Sequence, residues 1–329
     1  PIAVAMGDVL AGNPIFDALW INNFQITNNL FSNIYADIKL PLEGLTYRLN
    51  VANNLRYNES KNFTPTFDRD GSKRTSFASQ NWSKGMDFTL ENILKYNKSF
   101  NKIHNLDATL MYGIESTKNT GTYGSGSLLF SDALGYYGLS LGNVQTANAS
   151  GTEMKAVSSM ARVGYRLMDR YMLNLTIRRD GYSAFGSGNK YGNFPSIGLG
   201  WVISEENFLS GVKWLEFLKL RYSYGKNGNR AISPYSSLSL MDASNYKYVF
   251  GDGGATSVGV SPTSMSNINL GWESTLASNI GIDFNVLSGR ITGAIEYYDM
   301  NTKDLLLSSQ IPNMTGYSTF TTNVGSVNN

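Results

Sequence analysis

No cysteine and one histidine occur in 329 residues, and no apolar run comes near the length of a membrane helix. Without cysteine, neither a disulfide framework nor a thiolate metal site is available. Without a long apolar run no helix can span a bilayer, but a barrel, whose strands carry a far weaker signal, is not excluded. Charge is thin as well, at 16% against the roughly 25% usual in soluble domains. The net charge of +2, with no basic block, gives no footprint for a nucleic-acid partner.

What the chain does have is alternation. In Leu45-Thr46-Tyr47-Arg48-Leu49-Asn50-Val51-Ala52-Asn53-Asn54-Leu55-Arg56-Tyr57, one parity is apolar except for Asn53, and the other carries Arg48, Asn50, Asn54 and Arg56. A period of two is a strand whose side chains point to opposite sides of a sheet. The same pattern sets Met86, Phe88, Leu90 and Leu94 against Asp87, Thr89, Glu91 and Lys95, and Leu106, Leu110 and Tyr112 against Asp107 and Thr109. It sets Leu173, Leu175 and Ile177 against Asn174, Thr176 and Arg178, Leu220 and Tyr222 against Arg221, and Ile280 and Ile282 against Asp283. Weaker stretches are 34–40, 160–167, 197–203 and 291–298. Arg48, Arg56, Asn174, Arg178, Arg221 and Asp283 are therefore candidates for a watery lumen, with lipid on the other face.

Connections alternate in length. Short ones, at 41–44, 97–102, 168–170 and 287–289, with 204–217 beside them by position, separate long polar stretches at 58–84, 115–153, 180–193 and 226–271. Up-and-down transmembrane barrels do this, with short periplasmic turns and long extracellular loops. A soluble sandwich would have strands but no reason to sort its loops. Tyr165, Tyr171, Trp201 and Trp272 sit at strand ends, where aromatic girdles lie.

Catalytic and metal patterns are thin. His104 shares parity with Leu106 and Leu110, which places it at the lipid-facing rim, away from any nucleophile. Glu205-Glu206 fit the first turn of a short helix started by Ser204. Asp68-Arg69-Asp70-Gly71-Ser72 opens like a calcium loop but lacks the bidentate acid that should follow. Gly186-Ser187-Gly188 and Gly251-Asp252-Gly253-Gly254 lack the strand-to-helix setting of a phosphate cradle and read as loop bends. The expectation is a non-enzyme with no cofactor.

Several specific blocks follow one another in order. They are Asp169-Arg170-Tyr171, Arg179-Asp180-Gly181-Tyr182-Ser183-Ala184-Phe185-Gly186, Asn189-Lys190-Tyr191-Gly192-Asn193-Phe194-Pro195-Ser196, and Gly200-Trp201-Val202-Ile203-Ser204-Glu205-Glu206-Asn207-Phe208. Farther on come Leu218 to Gly225, Asn269-Leu270-Gly271-Trp272-Glu273, Asn279 to Phe284, and Thr302-Lys303-Asp304-Leu305; Asn13-Pro14 and the residues from Tyr35 to Leu45 are less specific. Together these blocks resemble the SusC/RagA family of TonB-dependent outer-membrane transporters of Bacteroidota. The resemblance implies a 22-stranded barrel with an internal plug, a SusD-like surface lipoprotein, and drive from TonB-ExbB-ExbD. The cargo it implies is an oligosaccharide or peptide.

About ten strands of that barrel are expected across residues 1–329, as part of one barrel domain in the outer membrane, with the plug, the TonB box and the terminal strands lacking counterparts. Loop aromatics suited to stacking on a glycan or peptide are Trp82, Tyr123, Tyr136, Tyr137, Tyr235, Tyr246, Tyr248 and Phe250. A structural or adhesin-like barrel is the competing reading, and a barrel hydrolase a distant third. Unpaired strand edges are expected near 34–40 and 305–311.

Overall fold

The computed structural model of the protein describes residues 21–66, 75–243, 247–249, 251, 254 and 256–329. Asn13-Pro14, the 68–72 loop, Tyr246 and Phe250 lie outside the described residues. The described chain is mostly strand. Long strands come first: β1 (Asn22–Lys39), β2 (Leu45–Thr64), β3 (Phe77–Phe100), β4 (His104–Leu129) and β5 (Gly142–Leu167). Then follow β6 (Tyr171–Tyr182), β7 (Tyr191–Val202) and β8 (Leu215–Asn229). Two small hairpin partners, β9 (Met241–Asp242) with β12 (Ser261–Pro262) and β10 (Lys247–Val249) with β11 (Thr256–Val258), decorate the next connection. The chain ends in β13 (Glu273–Val286), β14 (Ile291–Lys303), β15 (Leu306–Gln310), β16 (Thr319–Asn323) and β17 (Ser326–Asn328).

Eleven of these make one sheet in the order β1-β2-β3-β4-β5-β6-β7-β8-β13-β14-β17. Sequential strands are neighbours and pair antiparallel from β5 through β14, as an up-and-down barrel wall requires. Short turns share one end, because they bond to each other. The Asn97 amide donates to Gly44 O at 2.9 Å, Met168 to Ile103 O at 2.7 Å, Val202 to Arg170 O at 2.8 Å and Leu287 to Trp214 O at 2.8 Å.

Register turns the alternation into rows. Tyr165, Leu173, Leu199, Tyr222, Ile280 and Tyr297 lie side by side across six strands. The neighbouring row is Gly164, Asn174, Gly198, Ser223, Asn279 and Tyr298. On the apolar parity Leu110, Leu175, Ile177, Ile280, Ile282 and Ile295 are all exposed. Leaving such side chains in water forgoes about 1.5–3 kcal/mol each, so a surface built of them is suited to lipid.

Two compact units divide the chain: Pro1–Ile34, Ala52–Phe88 and Ser116–Glu153 in the first, and Tyr35–Val51, Thr89–Glu115 and Met154–Asn329 in the second. The first buries Phe63, Ala78 and Leu129 against Tyr136, Leu139 and Leu141. The second buries Ala156, Tyr182, Ala184, Phe185 and Leu270 against Trp272 and Leu306.

Four expectations need correction. The stretches 58–84 and 115–153 are not mainly loops, since β2 to β5 run through most of them at 20 to 26 residues each. A tilted strand crosses the hydrocarbon in about 9–11 residues. The excess stands in water on both faces, so it carries no apolar parity and reads as loop. Residues 305–311 are not an edge of the eleven-stranded sheet: β15 pairs with β16 alone in a separate hairpin, whose outer side is the unpaired one, and β17 takes the place beside β14. Ser204 caps nothing. It lies inside the short 3₁₀ turn Ile203–Glu205, which has no side-chain cap, and its hydroxyl is buried without a partner. Trp272 belongs to no girdle; it packs 5.1 Å from Phe185 and 5.2 Å from Phe194 and donates to Lys190 O.

Candidate functional site

The polar parity is a ladder of cross-strand pairs. Arg48 on β2 grips Asp37 on β1 through two bonds of 2.6 Å and lies 4.8 Å over the Tyr35 ring. Arg56 on the same strand pairs with Asp87 on β3, and Asn50 donates to Glu91. Arg221 on β8 bridges Asp283 on β13, at 3.1 Å, and Glu296 on β14. Asn174 accepts from Arg162 at 3.4 Å. All six sequence-assigned polar-face residues are thus engaged with partners at close range. The arginines among them are thereby neutralised at close range.

Asp180, the partner of Arg178, is the most enclosed carboxylate of these pairs. The Arg178 Nε donates to both oxygens of Asp180, two residues along β6, and its Nη2 to Ser158 on β5; the Ser158 hydroxyl donates to Asp180 at 2.5 Å. Just beyond, Arg230 lies 5.0 Å over the Tyr182 ring and reaches Glu115 on β4 at 2.5 Å. Arg230 follows directly on β8, four strands from β4 in the sheet, and four spacings of a flat sheet would be about 19 Å. Within this unit the chain therefore folds over its polar face. Arg230 and Glu115 were not singled out in the sequence; only sheet order and register bring them together.

Three of the loop aromatics do converge. Glu59 and Lys61, on the part of β2 beyond Tyr57, form an ion pair at 2.6 Å. Trp82 lies beside Glu59, while the Lys61 ammonium faces the Tyr136 and Tyr137 rings at 5.6 and 5.3 Å. Lys61 beside it holds the Glu59 carboxyl below its ordinary value, and Glu59 in turn raises the Lys61 ammonium. The two tyrosines come from the 3₁₀ turn Gly135–Tyr137, anchored where Gln80 donates to Tyr136 O at 2.8 Å. Tyr137 is left 65% exposed. Tyr123 is half-buried on β4, and Tyr235 and Tyr248 belong to the other unit, with Tyr248 60% exposed on β10.

At the short-turn end, Glu206 is a hub. Tyr171 donates to it at 2.6 Å and Trp201 at 3.0 Å, with Arg170 at 3.7 Å. Its carboxyl is held below the ordinary range chiefly by the Tyr171 bond. Glu206 is thus a clasp between a rim and its turn, a role its sequence position does not disclose. His104 lies beside Tyr165, ring nitrogen to hydroxyl at 2.6 Å.

A sheet with one lipid-compatible face and one self-neutralised polar face is a portion of a transmembrane β-barrel wall. The chain belongs to the TonB dependent receptor-like β-barrel family, whose description matches residues 7–329. It is 34% identical to TonB-dependent receptor P39 of Formosa agariphila over 96% of its own length and 30% of the relative's. It is 42% identical to TonB-dependent receptor SusC of Bacteroides thetaiotaomicron over 56% of this chain and 18% of that one. A solved structure of the RagAB peptide transporter matches with a TM-score of 0.85 at 22% identity, covering 96% of this chain and 34% of that one. The chain spans about a third of the length of its most extensive curated matches. It is a SusC/RagA-type segment of outer-membrane barrel.

Proposed function

We propose that this segment forms part of the barrel wall of a TonB-dependent importer for a large nutrient, an oligosaccharide or a peptide. The observation that carries the reading is the polar face. Arg48, Arg56 and Arg221 are matched by carboxylates on neighbouring strands and Arg178 by one on its own strand, giving a surface that lines passage of a polar solute with little trapping by charge. Family membership and the likeness to a peptide transporter support it. On this reading a SusD-like lipoprotein covers the long-connection end, and TonB-ExbB-ExbD supply the energy through parts of the protein outside this segment. Among the aromatics, Tyr137, 65% exposed, is the one we assign to ligand contact.

Uptake by cells carrying the full-length receptor tests this. Labelled oligosaccharides and peptides should accumulate saturably, and only with TonB and the proton gradient intact. Surface attachment without uptake would favour the adhesin-like reading instead.

A further inference from the structure

We propose that the apolar parity of β5–β8 carries a binding site for a phosphorylated, multiply acylated membrane lipid, headed by Arg179 and Lys226. The proposal rests on the reading of this face as lipid-facing. On the polar face Arg48, Arg56, Arg178 and Arg221 each have a carboxylate beside them. Arg179 and Lys226 stand on the other parity. Among the described residues neither has a carboxylate within ion-pair distance.

Arg179 is held in place rather than loose. Its guanidinium lies 4.8 Å from the centre of the Tyr191 ring. That ring in turn lies over Gly181, where a Cβ would come within 2.6 Å of it, so only glycine leaves the ring its seat. Ser159 on β5 and Asn193 on β7 flank Arg179 in register and offer hydrogen bonds on either side.

Depth favours a headgroup. Arg179 is eight residues from Tyr171 at the short-turn rim, which in a strand tilted by 35–45° is a rise of about 19–22 Å. Snorkelling of its side chain brings the cation to the far edge of a hydrocarbon band about 25 Å tall. Lys226 stands slightly lower, beside Ile177, Pro195 and Leu276.

Below the cations the surface is grooved for chains. One open groove of about 660 Å³ runs past Leu94, Leu110 and Ile177, and a second of about 570 Å³ past Val163, Leu175 and Ile197. Two cations above two apolar grooves match a phosphate joined to several acyl chains. A soluble anion would use the cations but leave the grooves unfilled.

Native mass spectrometry of the full-length receptor in mild detergent tests the site, with lipid A and enzymatically dephosphorylated lipid A as probes. The wild type should prefer the phosphorylated form, and R179Q and K226Q should each reduce that preference about fivefold. The conservative R179K should keep most of it. Heat-modifiable migration of each variant checks that the barrel has folded. An unchanged preference in both Gln variants would overturn the site, as would no preference in the wild type or displacement of the lipid by inorganic phosphate. Nutrient uptake by R179Q and K226Q should stay at the wild-type level. A receptor with the lipid preference but no energy-dependent uptake would refute the importer reading and leave this site standing.

Discussion

At the scale of single residues, enclosure decides what each charge is worth. Arg48 and Asp37 are both 39% exposed, so solvent screens the pair and Arg48→Ala should barely move the thermal transition. Asp180 is 13% exposed and takes three hydrogen bonds from Arg178 and Ser158. Arg178→Ala strips its counter-charge, and a loss of about 2–3 kcal/mol is expected, read as an earlier thermal transition in detergent. Equal shifts for the two variants would contradict the enclosure argument. Asn53 runs the other way. It interrupts the apolar parity of β2, and its amide oxygen is buried without a partner. Asn53→Leu should therefore stabilise the protein by about 1–3 kcal/mol in the same assay. The identities of these polar-face residues were legible in the sequence because alternation assigns a face. Their partners were not, because register, which a one-residue slip would reverse, sets who meets whom.

At the scale of elements, the short turns are tied to strands by side chains as well as backbone, and Glu206 shows how. Its folded-state ionisation is depressed relative to the ordinary 4.5 by bonds from Tyr171 and Trp201 and by the charge of Arg170. A depressed acid contributes stability that is fully present above its unfolded value and is lost as the pH falls through the folded one. Glu206→Gln should accordingly lower the melting temperature at pH 7, and the gap to the wild type should narrow as the pH falls below the ordinary carboxyl value and close once the wild-type carboxylate is protonated. A constant gap across that range would show the clasp to be steric. Gly228 tests the aromatic cluster near the long-connection end. A Cβ there would come within 2.1 Å of the Phe194 ring, so Gly228→Ala should displace Phe194 and Trp272, visible as a shift in tryptophan emission.

Element existence was clear wherever lipid meets one face, as in residues 45–57, where the period of two is nearly unbroken. It was obscure in the outer parts of β2 to β5, where water on both sides removes the pattern. Trp272 was misplaced for a related reason. Its position at a strand end looked like a girdle, and only the fold of residues 183–190 and 194 over it shows a packed ring.

At the scale of the whole molecule, the sheet order runs from β1 to β17, with those two strands at its ends. Free edges cannot be left in hydrocarbon, where each unpaired backbone group costs several kcal/mol. Expressed by itself, this chain should therefore aggregate or depend on detergent and lack the heat-modifiable migration of a closed barrel. Behaviour as a stable, membrane-inserted monomer would contradict that. The central claim is the two-facedness of the wall, and the absence of cysteine from these residues makes it directly measurable. In a full-length receptor whose only thiol is the introduced one, cysteine replaces in turn Leu175, Leu220, Ile282 and their neighbours Thr176, Arg221, Asp283. Each variant is then exposed in whole cells to a membrane-impermeant maleimide, and separately spin-labelled for oxygen accessibility. The account predicts that positions 176, 221 and 283 react with the maleimide, while 175, 220 and 282 are protected and rich in oxygen collisions. Reversal of the two sets, or equal reactivity across both, would contradict it.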